Sequence, residues 1–304
     1  MKKFTAAILG AIAIIFSSAL WGVDGAFLRP MLYDLDFFVV VFLEHLVAFA
    51  FMLPFFIWEI RETKKMDKKD WLSISLVALF GGAIGTLAIT KAFFSVFIDE
   101  ISSVSVIVLL QKTQPVFAII LAMLILKERP KKMFFPLAGV ALIGSYLVAF
   151  GFTFPGIQTE VLFVPLLALL ASFSFATGTV FGRLVGKKIS FRMTTYLRFL
   201  LTTLIMIVFI AIFNRFAGFS GLQAPDFGVI LLIAFTTGGA AIFIYYWGLK
   251  RVMASKATIY ELGFPLTAFI LDYFVHNEIM GPGRWIGAII IITSMIFIVR
   301  LNKN

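Results

Sequence analysis

Long apolar runs alternate with short polar stretches along the whole chain. Ten runs can be marked, at about 5–27, 37–59, 71–97, 101–126, 133–153, 161–186, 191–213, 227–249, 253–275 and 284–301. Each is long enough to cross the ~30 Å hydrocarbon layer of a bilayer as a helix. None shows the alternating pattern of a barrel strand, and a backbone in lipid must satisfy its own hydrogen bonds, so the pattern predicts helices. The third and fourth runs are parted only by Asp99 and Glu100. The first follows Lys2-Lys3 and contains Ser17-Ser18-Ala19, as a secretory signal would, but it continues past that point and reads as a retained span.

Composition agrees with this pattern. Of 304 residues, 61% are hydrophobic and 14% charged, and the mean hydropathy is +1.04. A soluble domain is about half apolar and a quarter charged. Disorder, a nucleic-acid module and an ordinary soluble enzyme are therefore excluded as first readings. The net charge of +10 follows from topology. With the N-terminus inside, 20 of the 26 Lys and Arg residues fall in cytoplasmic loops and tails. Arg29, Arg215 and Arg284 fall on the opposite side, and Lys91, Lys112 and Arg198 lie within spans. The positive-inside rule then places both termini in the cytoplasm of a multi-pass inner-membrane protein. There is no cysteine and there are only two histidines, His45 and His276, so no cofactor, disulfide or metal centre is expected.

The two halves repeat. Pro115 and Pro265 lie 150 residues apart, as do Glu128 and Glu278. Gly81-Gly82-Ala83 matches Gly238-Gly239-Ala240 at an offset of 157, and the frame around Glu44-His45 matches that around Arg198 at 154. Five helices per half make the second enter from the opposite side. The expected architecture is therefore two inverted five-helix repeats, 1–154 and 155–304, as in many alternating-access carriers.

Trp21-Gly22 stands near the end of the first helix. Leu110-Gln111-Lys112-Thr113-Gln114-Pro115-Val116-Phe117-Ala118 leads to Leu126-Lys127-Glu128-Arg129, and a Gly-rich helix with Gly139 and Gly144 follows. Pro265, Glu278 and Gly287 are the counterparts in the second half. In these features the whole chain resembles the EamA-like branch of the drug/metabolite transporter superfamily. The resemblance implies ten helices, a central cavity between the repeats, and export or exchange of small metabolites. Such proteins often carry Arg early in the second helix; here that site reads Glu44-His45, while the matching Arg198 is present.

Charges at mid-membrane are costly and mark functional sites by default. Lys112 precedes Pro115 by three residues and Glu261 precedes Pro265 by four, so each lies about one turn from its proline. Lys112 and Glu261 are expected to face each other across the pseudo-twofold axis and to bind a zwitterionic substrate; a salt bridge stapling two helices is the alternative. Asp24 is expected in the outer vestibule. Tyr245, Trp247 and Tyr260, with Phe93, Phe94 and Tyr246, are expected in a partly apolar wall, with core or lipid contact as the alternative. Glu44, His45 and Arg198 are candidates for proton coupling; the alternative pairs one of the first two with Arg198. Pro115 and Pro265 are candidate hinges, the glycine series at 178, 182 and 186 is expected to serve packing, and Glu128 and Glu278 are expected to clamp loops.

No His-Glu-x-x-His, Gly-x-Ser-x-Gly, Walker motif or channel filter occurs. The expected function is secondary or facilitative transport of a small metabolite, amino acids first. A membrane enzyme or a flippase for lipid-linked metabolites is the alternative. The expected partners are the substrate and the bilayer, without nucleic acid, and the expected state is a monomer or weak homodimer.

Overall fold

The computed structural model describes residues 2–97, 104–153, 162–275 and 279–301. The described residues are helical, with no strand among them. Eight helical runs are long and apolar enough to cross a membrane: Phe4–Leu32, Phe37–Lys65, Lys68–Val96, Val106–Ile125, Phe163–Val185, Phe191–Ile212, Ala224–Leu249 and Pro282–Arg300. Their large apolar side chains point outward, among them Trp58, Leu124, Ile212 and Ile289. Buried Ser and Thr residues on several helices instead bond carbonyls one turn back, as Thr177, Thr194 and Thr203 do. This distribution suits a lipid solvent, where outward polarity is what costs.

The α-helical elements are α1 (Lys2–Val23), α2 (Phe37–Glu59), α3 (Lys68–Leu76), α4 (Gly85–Phe97), α5 (Val104–Gln111), α6 (Gln114–Ile125), α7 (Phe134–Phe150), α8 (Phe163–Val185), α9 (Phe191–Ile212), α10 (Ala224–Ile233), α11 (Gly239–Leu249), α12 (Ala254–Tyr260), α13 (Gly263–Phe274) and α14 (Pro282–Arg300). Side-chain caps start several of them. Asp36 accepts from Phe38 N–H and Val39 N–H, and Ser190 accepts from Met193 N–H. Asp67 and Asp70 form a capping box on α3. The Lys188 ammonium, bonded to Asp67 at 2.6 Å, holds that carboxyl down to about 2.

Two departures from regular α-helix recur at matching places in the two halves. Wider π-helical turns occupy Val77–Ile84 and Ala234–Gly238, 157 residues apart, and join α3 to α4 and α10 to α11. Breaks at Lys112-Thr113 and Glu261-Leu262 separate α5 from α6 and α12 from α13. Proline explains the breaks, because it has no N–H for the carbonyl four residues earlier. For Pro115 that carbonyl belongs to Gln111, which Ser172 Oγ approaches at 3.4 Å. For Pro265 it belongs to Glu261, which accepts from Phe264 N–H at 3.0 Å. The carbonyls freed by the prolines therefore have other donors. The boundary at Asp99-Glu100, as well as His276 and Glu278, lies outside the described residues.

Helices meet closely at glycine. The pair α7 and α14 packs most extensively, with Gly144 against Gly287. The π-helical turn of the third run meets α8 through Gly81 and Gly178, where a Cβ on Gly178 would lie 2.9 Å from the Gly81 Cα. Since that neighbour is backbone, Gly178→Val is expected to lower stability by about 1–3 kcal/mol. Thermal unfolding in detergent checks this, and an unchanged melting temperature would refute the close contact.

The first run is longer than expected. A π-helical turn (Asp24–Leu28) and a 3-10 turn (Arg29–Leu32) continue α1 before the chain reverses. Arg29 is consequently a residue of the helical run with its side chain only 14% exposed, and not the loop charge expected from its place after the run at 5–27.

Candidate functional site

A cavity of about 610 Å³ lies between the broken helices and is bounded by both halves of the chain. Drug-sized ligands occupy pockets of about 300–1,000 Å³. The lining residues Tyr33, Phe150, Asp272 and Arg284 are partly exposed, and we take them to mark its mouth. The lining residues Pro115, Thr179, Arg198 and Thr258 are buried. The mouth lies at the end where α7 finishes and α14 begins, as the contact of Gly283 with Gly151 shows. The opposite end holds the start of α1, where Gly10 packs beside Arg251 and Val252, and the end of α14, which runs antiparallel to α7.

Glu261 stands at the second helix break. Tyr245 Oη and Gln114 Nε2 each donate to its carboxylate at 2.6 Å, and Thr179 Oγ1 approaches at 3.5 Å. Three spans are thereby tied to one carboxylate. Trp21 lies against Tyr245 with ring centroids 5.4 Å apart. Lys112 stands at the first break and lines the same cavity, but it forms no ion pair with Glu261. Its ammonium instead sits 4.8 Å from the centre of the Phe264 ring. The opposed pair expected across the axis is present as two residues of one cavity, each with other partners. The reason is geometric: Glu261 accepts from neutral donors on three neighbouring elements, which already occupy its oxygens.

A second cluster joins the first two runs. Arg29 bonds Asp24 at 2.9 Å and pairs with Glu44 at 2.7 Å. Asp24 also accepts from Thr237 Oγ1 at 3.1 Å, which links it to the π-helical turn of the second half. One guanidinium thus serves two carboxylates whose side chains are 14% and 8% exposed.

Arg198 has neither Glu44 nor His45 as partner. It donates to the Gly81 carbonyl at 2.7 Å and to Tyr246 Oη at 3.2 Å. The Gly81 carbonyl belongs to the π-helical turn, where the backbone is widened. His45 is buried, donates from Nδ1 to the Val41 carbonyl at 2.8 Å, and packs on Phe199. The expected pairing of Arg198 with one of them is therefore replaced by backbone and tyrosine contacts.

Asp24, Glu44, His45, Lys112, Pro115, Arg198, Tyr245, Glu261 and Pro265 all line the cavity. Trp247 and Tyr260 do not. Trp247 lies two residues from Tyr245, roughly 200° around the helix. Its ring carries the Arg251 guanidinium at 3.5 Å. Tyr260 is fully buried in the core beside the lining residue Glu261. Phe93 reaches the cavity, whereas Phe94 packs on Tyr33 and Phe37. Sequence reasoning passed over Arg29, Gln114, Thr179 and Thr237. Gln114 stood within the quoted Gln-Lys-Thr-Gln-Pro stretch, and Thr179 was hidden beside the packing residue Gly178. Arg29 resembled a loop charge, although its spacing of five from Asp24 fits one π-helical turn.

Comparison with known proteins agrees with this architecture. The model of the EamA-like transporter family matches residues 8–150 and again 162–300. The chain is similar to the riboflavin transporter ImpX of Fusobacterium nucleatum, with 40% identity over 298 residues, 97% of this chain and 99% of that one. It is also similar to an uncharacterized transporter of Archaeoglobus fulgidus, 24% identical over 93% of this chain and 95% of that protein. A solved crystal structure shares the fold, with a TM-score of 0.75 over 99% of both chains at 13% identity. The chain is thus a multi-pass membrane transporter of small molecules rather than an enzyme, and it belongs to the EamA-like transporter family.

Proposed function

We propose that this transporter carries riboflavin, or a molecule of the same flat, polyhydroxylated kind, by alternating access. In this reading ten spans form two inverted five-helix repeats, 1–154 and 155–304, in the cytoplasmic membrane with both termini inside. The breaks and π-helical turns that recur at matching places support the repeats, as do the two separate family matches. Pro115 and Pro265 serve as the hinges about which the repeats rock.

The observation that carries the substrate reading is the composition of the 610 Å³ cavity. Trp21, Phe93, Phe175 and Phe264 offer apolar faces to a planar ring system, while Gln111, Gln114, Thr86 and Thr90 offer hydrogen bonds to a hydroxylated chain. A single amino acid would leave much of this volume to water. Glu261 also already accepts from three donors, which weakens the zwitterion clamp expected of it and Lys112. The similarity to a riboflavin transporter points the same way.

The test is flux in proteoliposomes loaded on either side. Riboflavin is expected to move saturably and only with the protein present, and an amino-acid mixture in excess is expected not to compete. Transport of amino acids without binding of riboflavin would overturn the reading. Repeating the assay at two pH values with Glu44→Gln and His45→Gln reads proton coupling. Loading each side in turn distinguishes export or exchange from uptake.

A further inference from the structure

Glu128 lies at the end of α6 away from the cavity mouth. Leu126 closes that helix, Lys127 takes the left-handed conformation (φ 54°), and Glu128 N–H returns to the Ala122 carbonyl at 3.2 Å. The left-handed backbone at Lys127 ends the helix and turns the chain away from its axis. It directs the Glu128 side chain to the N-terminus of α12, in the other half of the chain. There the carboxylate accepts from Ala254 N–H at 2.7 Å, Ser255 N–H at 3.0 Å and Ser255 Oγ at 2.6 Å. A helix N-terminus has free N–H groups and a partial positive charge, so a carboxylate is a strong partner for it. The glutamate therefore bonds a helix end in the other half rather than a charge of its own loop. The role of a clamp remains, but it joins two halves of the protein and not two sides of one loop.

Its position matters for transport. The clamp spans the two broken runs whose breaks hold Lys112 and Glu261. The cavity lining on α12 stops at Thr258, about one turn short of Ser255, and Thr258 is only 1% exposed. Ala254, Ser255, Lys256 and Ala257 are buried and none lines the cavity, so α12 closes it at the end where Glu128 bonds the helix. The donor and acceptor types also recur in sequence: Glu278 stands 150 residues after Glu128, and Ser105 stands 150 before Ser255.

We propose that Glu128 is a gate latch of the transport cycle. Its bonds to the α12 N-terminus hold the cavity shut on the side where α1 begins, and they break before the cavity opens there. The proposal rests on the alternating-access reading but not on which substrate is carried.

The absence of native cysteine allows a direct test in the full-length chain. Thr258→Cys reports opening at the sealed end, and Ala26→Cys, in the lining toward the mouth, reports the other side. A membrane-impermeant maleimide is applied to each face of oriented vesicles. Glu128→Ala is expected to raise labelling at position 258 by about tenfold, the effect of ~1.4 kcal/mol in an equilibrium, and to lower it at position 26. Ser255→Ala and Glu128→Gln are expected to shift both rates in the same directions by less. These milder variants carry the comparison if Glu128→Ala fails to fold by size-exclusion chromatography. Unchanged rates in folded variants would overturn the latch. So would a rise at both positions, which would mean general loosening. Absence of riboflavin flux with the reciprocal labelling shift intact would remove the substrate reading alone.

Discussion

Glu261→Ala is expected to lower transport by about 100-fold or more. The mutation removes the acceptor of two short hydrogen bonds, from Tyr245 and Gln114, and of a longer one from Thr179. Hydrogen bonds to a charged group contribute about 1.5–3 kcal/mol each, so losing two costs ~3 kcal/mol or more. Because these donors belong to three spans around the cavity, the loss disturbs the geometry of the binding surface as well as the charge. Glu261→Gln should be milder, since one amide oxygen still accepts while the NH₂ group meets other donors. Tyr245→Phe and Thr179→Val each remove one donor and should reduce flux by about tenfold or less. Flux per mole of protein in proteoliposomes, read beside the melting temperature, separates site from staple. If Glu261→Gln kept full flux at normal protein levels, a carboxylate would be unnecessary and the residue would serve only to hold helices together.

The second large effect is expected at Arg29. Arg29→Met leaves Asp24 and Glu44 in the site without their shared counter-charge. Breaking a buried ion pair by removing one partner costs about 3–5 kcal/mol, because the remaining charge is left uncompensated. A marked loss of folded protein is therefore expected, measured by size-exclusion profile and thermal unfolding. Neutralising the orphaned partners in the triple variant Arg29→Met, Asp24→Asn, Glu44→Gln should recover most of the stability. Recovery of transport is not expected, since all three residues line the cavity. If Arg29→Met alone unfolded at the wild-type temperature, the three groups would not act as one electrostatic unit.

These two residues show how unevenly the sequence discloses the site. Glu261 was recognisable as a carboxylate near a proline inside an apolar run, the costly arrangement that marks function in a membrane. Arg29 was disguised, because hydropathy near the end of a run does not distinguish a loop from a helix that continues through a π-helical turn. Lys112 and Glu261 both line the cavity, but the spacing in the sequence did not disclose their partners. Spacing along a helix fixes which face a residue occupies, but not which neighbouring helix presents a donor to that face. Trp247 and Tyr260 illustrate the same limit: one residue along a helix is about 100° of rotation, enough to turn a ring from cavity to core.

The membrane class, the approximate spans and the matching Pro-containing frames were decided by the chain itself. Lipid makes hydropathy, loop charge and backbone satisfaction local constraints, so a linear pattern records them. Only the tertiary structure decided that Arg29 serves two acids, that Glu261 collects donors from three spans, and that Glu128 reaches the start of α12. Those contacts join residues up to 147 positions apart, as Gln114 and Glu261 are. They depend on how helices are rotated and paired, and the small residues that let helices approach, such as Gly81 and Gly178, act only once both helices are in place.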